Sequence, residues 1–297
     1  MKPHRSKWFF GDIIVQRVVE FEGPLFPPSS LFPASTSEAI DSLGDELEPG
    51  FFDPQSKELI LAFNTYIVQT PHHTILVDTC SGNDKHRPLK PRYHMKKWPY
   101  LQNLLISGIK PEDVDYVLFT HLHVDHVGWN AKLSDSRWTP TFPNAEYLFV
   151  RDEWEYWQHQ YQTDAFTDDP YYTDSILPII AAGQAIFIEK DYAFEKNIWL
   201  DPTPGHTPGH VCLHISSGDA EAVISGDIMH HPLQCAEPDW NSCFCVYPEQ
   251  AQRTRRAFMD RYANTDTLIM PSHFPTPSVG RIVSSGPVWR FVFDETK

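Results

Sequence analysis

The 297-residue sequence contains no apolar run of even 15 residues, so nothing in it is long enough to cross a bilayer as a helix. It is short of positive charge: 24 Lys and Arg stand against 39 Asp and Glu, a formal net charge of −15. That balance disfavours nucleic acid or an anionic membrane as the main partner. Cysteine is scarce. The five cysteines, Cys80, Cys212, Cys235, Cys243 and Cys245, include no CxxC pair, which argues against a disulfide framework and against a structural zinc knuckle. The first residues, MKPHRSKWFFGDII, carry positive charge but lack the apolar stretch and small-residue cleavage site of an export signal. The expected location is therefore the reduced cytoplasm. Internal repeats and low-complexity tracts are also lacking, and a chain of this length with 41% hydrophobic residues is expected to form one α/β domain over residues 1–297.

What the sequence does offer is a dense group of metal-ligand side chains. THLHVDHVGWN, residues 120–130, places His121, His123, Asp125 and His126 within six positions. Neutral imidazole nitrogen and ionised carboxylate oxygen are the usual ligands of zinc and its first-row neighbours. The preceding DVDYVLFT, residues 113–120, reads as a buried strand, so the cluster begins where a strand ends. The pattern recurs. EAVISGDIMHH ends an apolar strand at Gly226-Asp227, DTLIMPSHF ends another at His273, and IWLDPTPGHTPGHVCLHIS sets His206 in a Pro/Gly turn between two strand-like runs. Side chains at strand ends are held by a rigid sheet, as a catalytic constellation requires. ELILAFNTYIVQT and TILVDTC read as two strands around a tight turn, AEYLFV as a further strand, and WPYLQNLLISGI, RDEWEYWQHQY and PEQAQRTRRAFMDRYA as helices.

One stretch resists such a reading. Residues 21–54 hold six prolines and five phenylalanines, which suits neither a regular helix nor a central strand. This N-terminal Pro/Phe-rich excursion is a candidate lid, with Phe26, Phe32, Phe51 and Phe52 lining a substrate mouth; the alternative is that these rings pin it to the body by ordinary burial. Trp129, Trp154 and Trp157 have the same two readings. The basic segment 85–97, KHRPLKPRYHMKK, reads as a solvated loop, with attraction of an anionic substrate as the alternative.

The ordered set of motifs resembles the metallo-β-lactamase fold superfamily of metallohydrolases. The resemblance rests on LVDTCSGN with Asp78, HxHxDH with His121, His123, Asp125 and His126, GHTPGH with His206, GD with Asp227, and a late SH with His273. It implies a four-layer αβ/βα sandwich and a dinuclear centre of two zinc ions, other first-row divalent metals being compatible. His121, His123 and His206 would hold one metal, Asp125, His126 and His273 the other, and Asp227 would bridge them. Asp78 is then either a turn cap or an acceptor buttressing the ligand loop, and His210 is structural rather than a ligand. Cys80 reads as a small buried hydrophobe.

The ligand set alone leaves the substrate open. No room follows His273 for the helical substrate domain of glyoxalase II, the acidity disfavours a tRNA processor, and a bridging Asp227 counts against a true β-lactamase. Many acyl-homoserine lactonases carry a tyrosine three residues after the bridging aspartate, where this chain has His230. The resemblance therefore points to the lactonase and methyl parathion hydrolase-like branch. What it implies is a hydrolase cleaving lactones or carboxylic esters by attack of a metal-bridging hydroxide, with phosphotriester cleavage as a side activity. Asp125 or His230 would protonate the leaving alkoxide. A small-molecule ester or lactone is the expected partner, and a homodimer the candidate assembly. A mononuclear iron persulfide dioxygenase and a non-catalytic metal-binding protein of the same fold are the alternatives from other classes.

Overall fold

A computed structural model of the chain describes residues 6–42, 50–163 and 170–294. Two sheets face each other. The first runs in the order Lys7–Phe10, Ile13–Phe26, Glu58–Gln69, Thr74–Val77, Tyr116–Leu118, Glu146–Val150, Ala185–Ile188, with Phe52–Asp53 paired onto the start of Glu58–Gln69. The second runs Ala193–Glu195, Ile198–Pro202, Val211–Ser217, Ala220–Gly226, Leu268–Pro271, Gly280–Ser285, Val288–Phe293.

Alternation along the strands builds the layers, because successive side chains point to opposite faces of a sheet. Ile75 and Val77, Leu118, and Leu148 and Val150 point into a central core, where they meet Leu200, Leu213, Ile224 and Met270 of the second sheet. Their neighbours Leu76, Val117, Tyr147 and Phe149 face outward and pack on Tyr100 and Leu104 of the helix Tyr100–Ile106 and on Trp154 of the helix Arg151–Gln162. On the far side, Val223, Ile269 and Ile282 pack against Phe258, Met259 and Tyr262 of the helix Pro248–Tyr262. The result is the αβ/βα sandwich expected. No helix among the described residues is long and apolar enough to cross a membrane.

The parallel strands of both sheets end at the same edge. Thr74–Val77, Tyr116–Leu118 and Glu146–Val150 run parallel in the first sheet, and Ala220–Gly226 and Leu268–Pro271 in the second. The backbone stitches the sheets there: Ala62 N–H donates to His273 O at 2.9 Å and Asn64 N–H to Ser272 O at 3.2 Å. Asn64 Nδ2 adds a bond to Phe274 O at 3.2 Å.

The Pro/Phe-rich stretch needs a correction. Residues 21–26 are not an excursion but the end of the long strand Ile13–Phe26, which pairs with Glu58–Gln69 through two irregularities, at Val19/Phe21 and Pro24/Phe26. Pro24 is tolerated because the strand's other neighbour, Lys7–Phe10, reaches only to Gln16, so the missing N–H sits on an open edge. Short helices follow at Pro28–Leu31 and Ser37–Ser42. The middle of the candidate lid, residues 43–49, lies outside the described residues.

The loop after Val77 and the loop after His126 lie backbone to backbone. Gly128 N–H donates to Cys80 O at 2.7 Å, and a Cβ on Gly128 would lie 1.9 Å from the carbonyl of Ser81. Only a glycine fits that approach. Gly128→Ala is expected to lower the free energy of unfolding by about 3 kcal/mol through overpacking, measured by denaturant titration against wild type.

Candidate metal centre

The strand ends described above deliver the polar residues one by one. Asp78 follows Thr74–Val77, His121 to His126 follow Tyr116–Leu118, Asp227 follows Ala220–Gly226, and His273 follows Leu268–Pro271. His206 comes from the turn between Ile198–Pro202 and Val211–Ser217. The turn into Asp227 requires Gly226, whose φ is +52° and whose added Cβ would lie 2.6 Å from His210 Nε2.

The side chains converge in two groups whose candidate ligand atoms lie within 4.8 Å of one another: His121, His123, His206 and Asp227, and Asp125, His126 and His273. Asp227 lies between them. Its Oδ2 is 3.6 Å from His121 Nε2 and 3.3 Å from His206 Nε2, while its Oδ1 is 3.3 Å from His126 Nε2 and 3.2 Å from His273 Nε2. His230 Nε2 approaches Oδ2 at 3.2 Å. Asp125 stands further out, its Oδ2 3.8 Å from His273 Nε2.

This donor set fits divalent metal. His123 Nδ1 lies 3.1 Å from His121 Nε2 and 2.9 Å from His206 Nε2, and one nitrogen can share a proton with only one of them, so lone pairs are left facing each other. Asp227 Oδ1 is buried without a hydrogen-bond partner. Such an arrangement is costly unless a cation satisfies it.

Protonation agrees. Burial, and next the neighbouring His126, hold His121 well below the usual imidazole range; burial and His206 do the same to His123. Burial would raise Asp227, but His273, His126, His230 and His121 override it and keep the carboxyl ionised. Burial brings His230 down to about 4, so this imidazole is neutral at pH 7.

The outward nitrogens of the rings are tied down. Asp78, 1% exposed, accepts from Thr120 N–H and Thr120 Oγ1 at 2.8 Å and from His126 Nδ1 at 2.8 Å. It therefore buttresses the ligand loop. His273 Nδ1 donates to Ala62 O at 3.0 Å, and His206 Nδ1 faces Cys245 Sγ at 3.5 Å. His210 is no part of either group: its Nε2 accepts from Asp227 N–H at 3.0 Å and its Nδ1 meets Thr203 Oγ1 at 2.8 Å. Cys80 is buried beside Thr65 and belongs to neither group.

A cavity of about 320 Å³ opens onto the centre, with His123, Asp125, Asp227, His230 and His273 at its floor. Leu25, Phe26, Leu31, Phe63, Trp157 and Phe244 supply apolar wall. Of the four phenylalanines expected at a mouth, only Phe26 lines the cavity. Phe32 packs on Trp240, Phe51 stacks on Phe293 at 4.9 Å, and Phe52 belongs to a short paired strand. Trp129 turns away to stack on Tyr100, and Trp154 stacks on Tyr172.

The basic segment is a largely solvated loop, but two of its cations turn inward. Lys85 Nζ donates to Ala131 O and Asp174 O, both at 2.9 Å, and Arg87 forks onto Asp174 at 2.6 and 2.9 Å; that carboxylate makes their burial tolerable. So anchored, the segment presents Lys90, Arg92 and Tyr93 to the cavity. Tyr93, which sequence reasoning missed, donates its hydroxyl to Asp125 Oδ2 at 3.3 Å. Nothing in the sequence marked it, because its role arises from where the inward-turned basic residues fix the loop.

An N-acyl homoserine lactonase from Bacillus sp. is 33% identical over 172 residues, 54% of this chain and 60% of the relative. One from Bacillus thuringiensis is 28% identical over 196 residues, 62% of this chain and 67% of the relative. The match thus spans 60% of the length of the first relative and 67% of the second. Among solved structures, hydrolase AbOPH, of the beta lactamase superfamily, superposes with a TM-score of 0.83 at 22% identity, covering 100% of this chain and 99% of that one. AidC, a dizinc quorum-quenching lactonase in complex with its product N-hexanoyl-L-homoserine, superposes with a TM-score of 0.80 at 21% identity, covering 98% and 97%. These two likenesses establish the fold. The sequence profile of the Metallo-beta-lactamase superfamily matches residues 62–273, a span that runs from the sheet stitch at Ala62 to the last imidazole of the centre, and the chain belongs to that superfamily.

Proposed function

We propose that this chain is a dinuclear zinc hydrolase of lactones or carboxylic esters, carried on one domain. The observation that carries the reading is the placement of Asp227, whose two oxygens face imidazoles of two separate groups at the floor of an apolar cavity. His121, His123 and His206 would hold one metal, Asp125, His126 and His273 the second, and Asp227 both. A metal pair supplies Lewis acidity when bound, lowering the pKa of water towards about 7 and stabilising negative charge on a carbonyl oxygen. Lactones are favoured as substrates because both curated relatives are named N-acyl homoserine lactonases. Phosphotriesters are side substrates, since the same charge distribution serves in-line displacement at phosphorus.

The chain's own residues then supply orientation and protons. The cavity wall of Leu25, Phe26, Leu31, Phe63, Trp157 and Phe244 takes the apolar part of the substrate and excludes water. Tyr93 holds the outer oxygen of Asp125. His230 replaces the tyrosine of many acyl-homoserine lactonases. Its ring lines the cavity with Nε2 3.2 Å from Asp227 Oδ2, and the neutral imidazole would turn its one N–H to a leaving alkoxide. Asp125, at the cavity floor, is the other proton carrier.

Elemental analysis of protein purified without chelator is expected to give about two equivalents of first-row metal per chain, mainly zinc; one equivalent or less after supplementation overturns the dinuclear assignment. His230→Ala should slow alkyl esters and lactones by about 100-fold or more, and nitrophenyl esters much less, because nitrophenolate leaves without a proton. Equal losses in metal-replete protein would remove His230 from the reaction and leave Asp125. Phe26→Ala should raise KM for substrates with long apolar groups while leaving metal content intact, as steady-state kinetics over a series of chain lengths would reveal.

A further inference from the structure

Glu153 lies on the helix Arg151–Gln162, far in sequence from every residue of the centre, and is 1% exposed. Its carboxylate nevertheless joins the two loops that bring the first group together. Oε1 accepts from Leu122 N–H at 3.0 Å, and Leu122 is the residue between His121 and His123. Oε2 accepts from Gly209 N–H at 2.8 Å, in the turn that carries His206. Trp157 Nε1 donates to Oε1 at 2.7 Å and fixes the carboxylate plane. Gly209 has no side chain for a reason: a Cβ there would lie 2.5 Å from Glu153 N and 2.6 Å from Glu153 Cβ, so the turn closes directly onto the helix.

The second group is oriented differently. Its His126 is held by Asp78, and its His273 by Ala62 O. Asp78 thus holds His126 directly and reaches His121 only through Thr120, whereas Glu153 accepts from the backbone beside His121, His123 and His206. Burying a carboxylate is unfavourable, and packing a helix against two loops would need only an apolar side chain. What a carboxylate adds is directional: two oxygens at fixed separation accepting from two N–H groups on different loops.

Resting on the dinuclear reading above, we propose that Glu153 is a positioning residue that sets the spacing of the His121/His123 pair against His206. It thereby governs the affinity and geometry of the first-group metal and leaves the group of Asp125, His126 and His273 unaffected. Glu153→Gln keeps an acceptor for Leu122 and Trp157 but turns an NH2 toward Gly209 N–H, which releases the His206 arm alone.

The test is titration of metal-free wild type and Glu153→Gln with Co2+ alone, following the visible absorption of the bound ion, with thermal melting of the metal-free proteins as the folding control. The His273→Ala background isolates the first group and the His121→Ala background the second. The expected result is a first-group affinity weakened about tenfold or more, a shifted Co2+ spectrum, and an unchanged second group. Unchanged first-group affinity and spectrum in folded Glu153→Gln overturn the proposal, as does equal weakening of both groups. Should Glu153→Gln not fold, Glu153→Asp, which keeps the charge but is too short to span both N–H groups, carries the same expectation and the same refutation. Wild type that binds no Co2+ would instead overturn the dinuclear reading itself.

Discussion

The arrangement depends on one buried carboxylate. Asp227 is 3% exposed and has nitrogens of His121, His126, His206, His230 and His273 between 3.2 and 3.6 Å from its oxygens. A cluster of that density tolerates little disorder, since rings turned the wrong way would set lone pair against lone pair in a medium that does not screen them. The surrounding residues act chiefly to prevent this. Thr120, Asp78, Ala62 and Cys245 each face the outward nitrogen of one ring, and His210 holds the backbone N–H of Asp227.

The sandwich makes such a centre possible because its two sheets end at one edge. Parallel strands of the first sheet contribute Asp78 and the loop from His121 to His126, and those of the second contribute Asp227 and His273. The backbone bonds from Ala62 and Asn64 to His273 and Ser272 fix the sheets against each other beside the cluster. The close approach at Gly128 does the same for the loops after Val77 and His126. Rigid strands thus set the positions of the side chains, and short loops only aim them.

Charge is distributed against the general trend of the molecule. The chain carries a net −15, yet the segment facing the cavity presents Lys90 and Arg92, while Lys85 and Arg87 are consumed inside by Asp174. Asp174 lies more than eighty residues from Lys85, and no local signal in KHRPLKPRYHMKK says which of its cations face inward. For the same reason Tyr93 could not be read as part of the site. The phenylalanines between Phe21 and Pro54 were ambiguous in another way: their burial follows from which surfaces the strand end and short helices meet, and only Phe26 meets the cavity.

Local pattern determined the strands that lead into the centre and the helices beside them, because alternation and helical periodicity record which face of each element is buried. It also exposed the candidate ligands, since four His and Asp residues within six positions, two more at the ends of apolar runs and one in a Pro/Gly turn have no other economical reading. Tertiary structure decided what those positions mean to one another. That Asp227 stands between two groups, that Asp78 serves His126, and that Glu153 joins the loop of Leu122 to the turn of Gly209 are facts of distance between elements remote in sequence. Hydrogen bonds reach about 3 Å, and only the packing of two sheets and their helices brings such partners within that range.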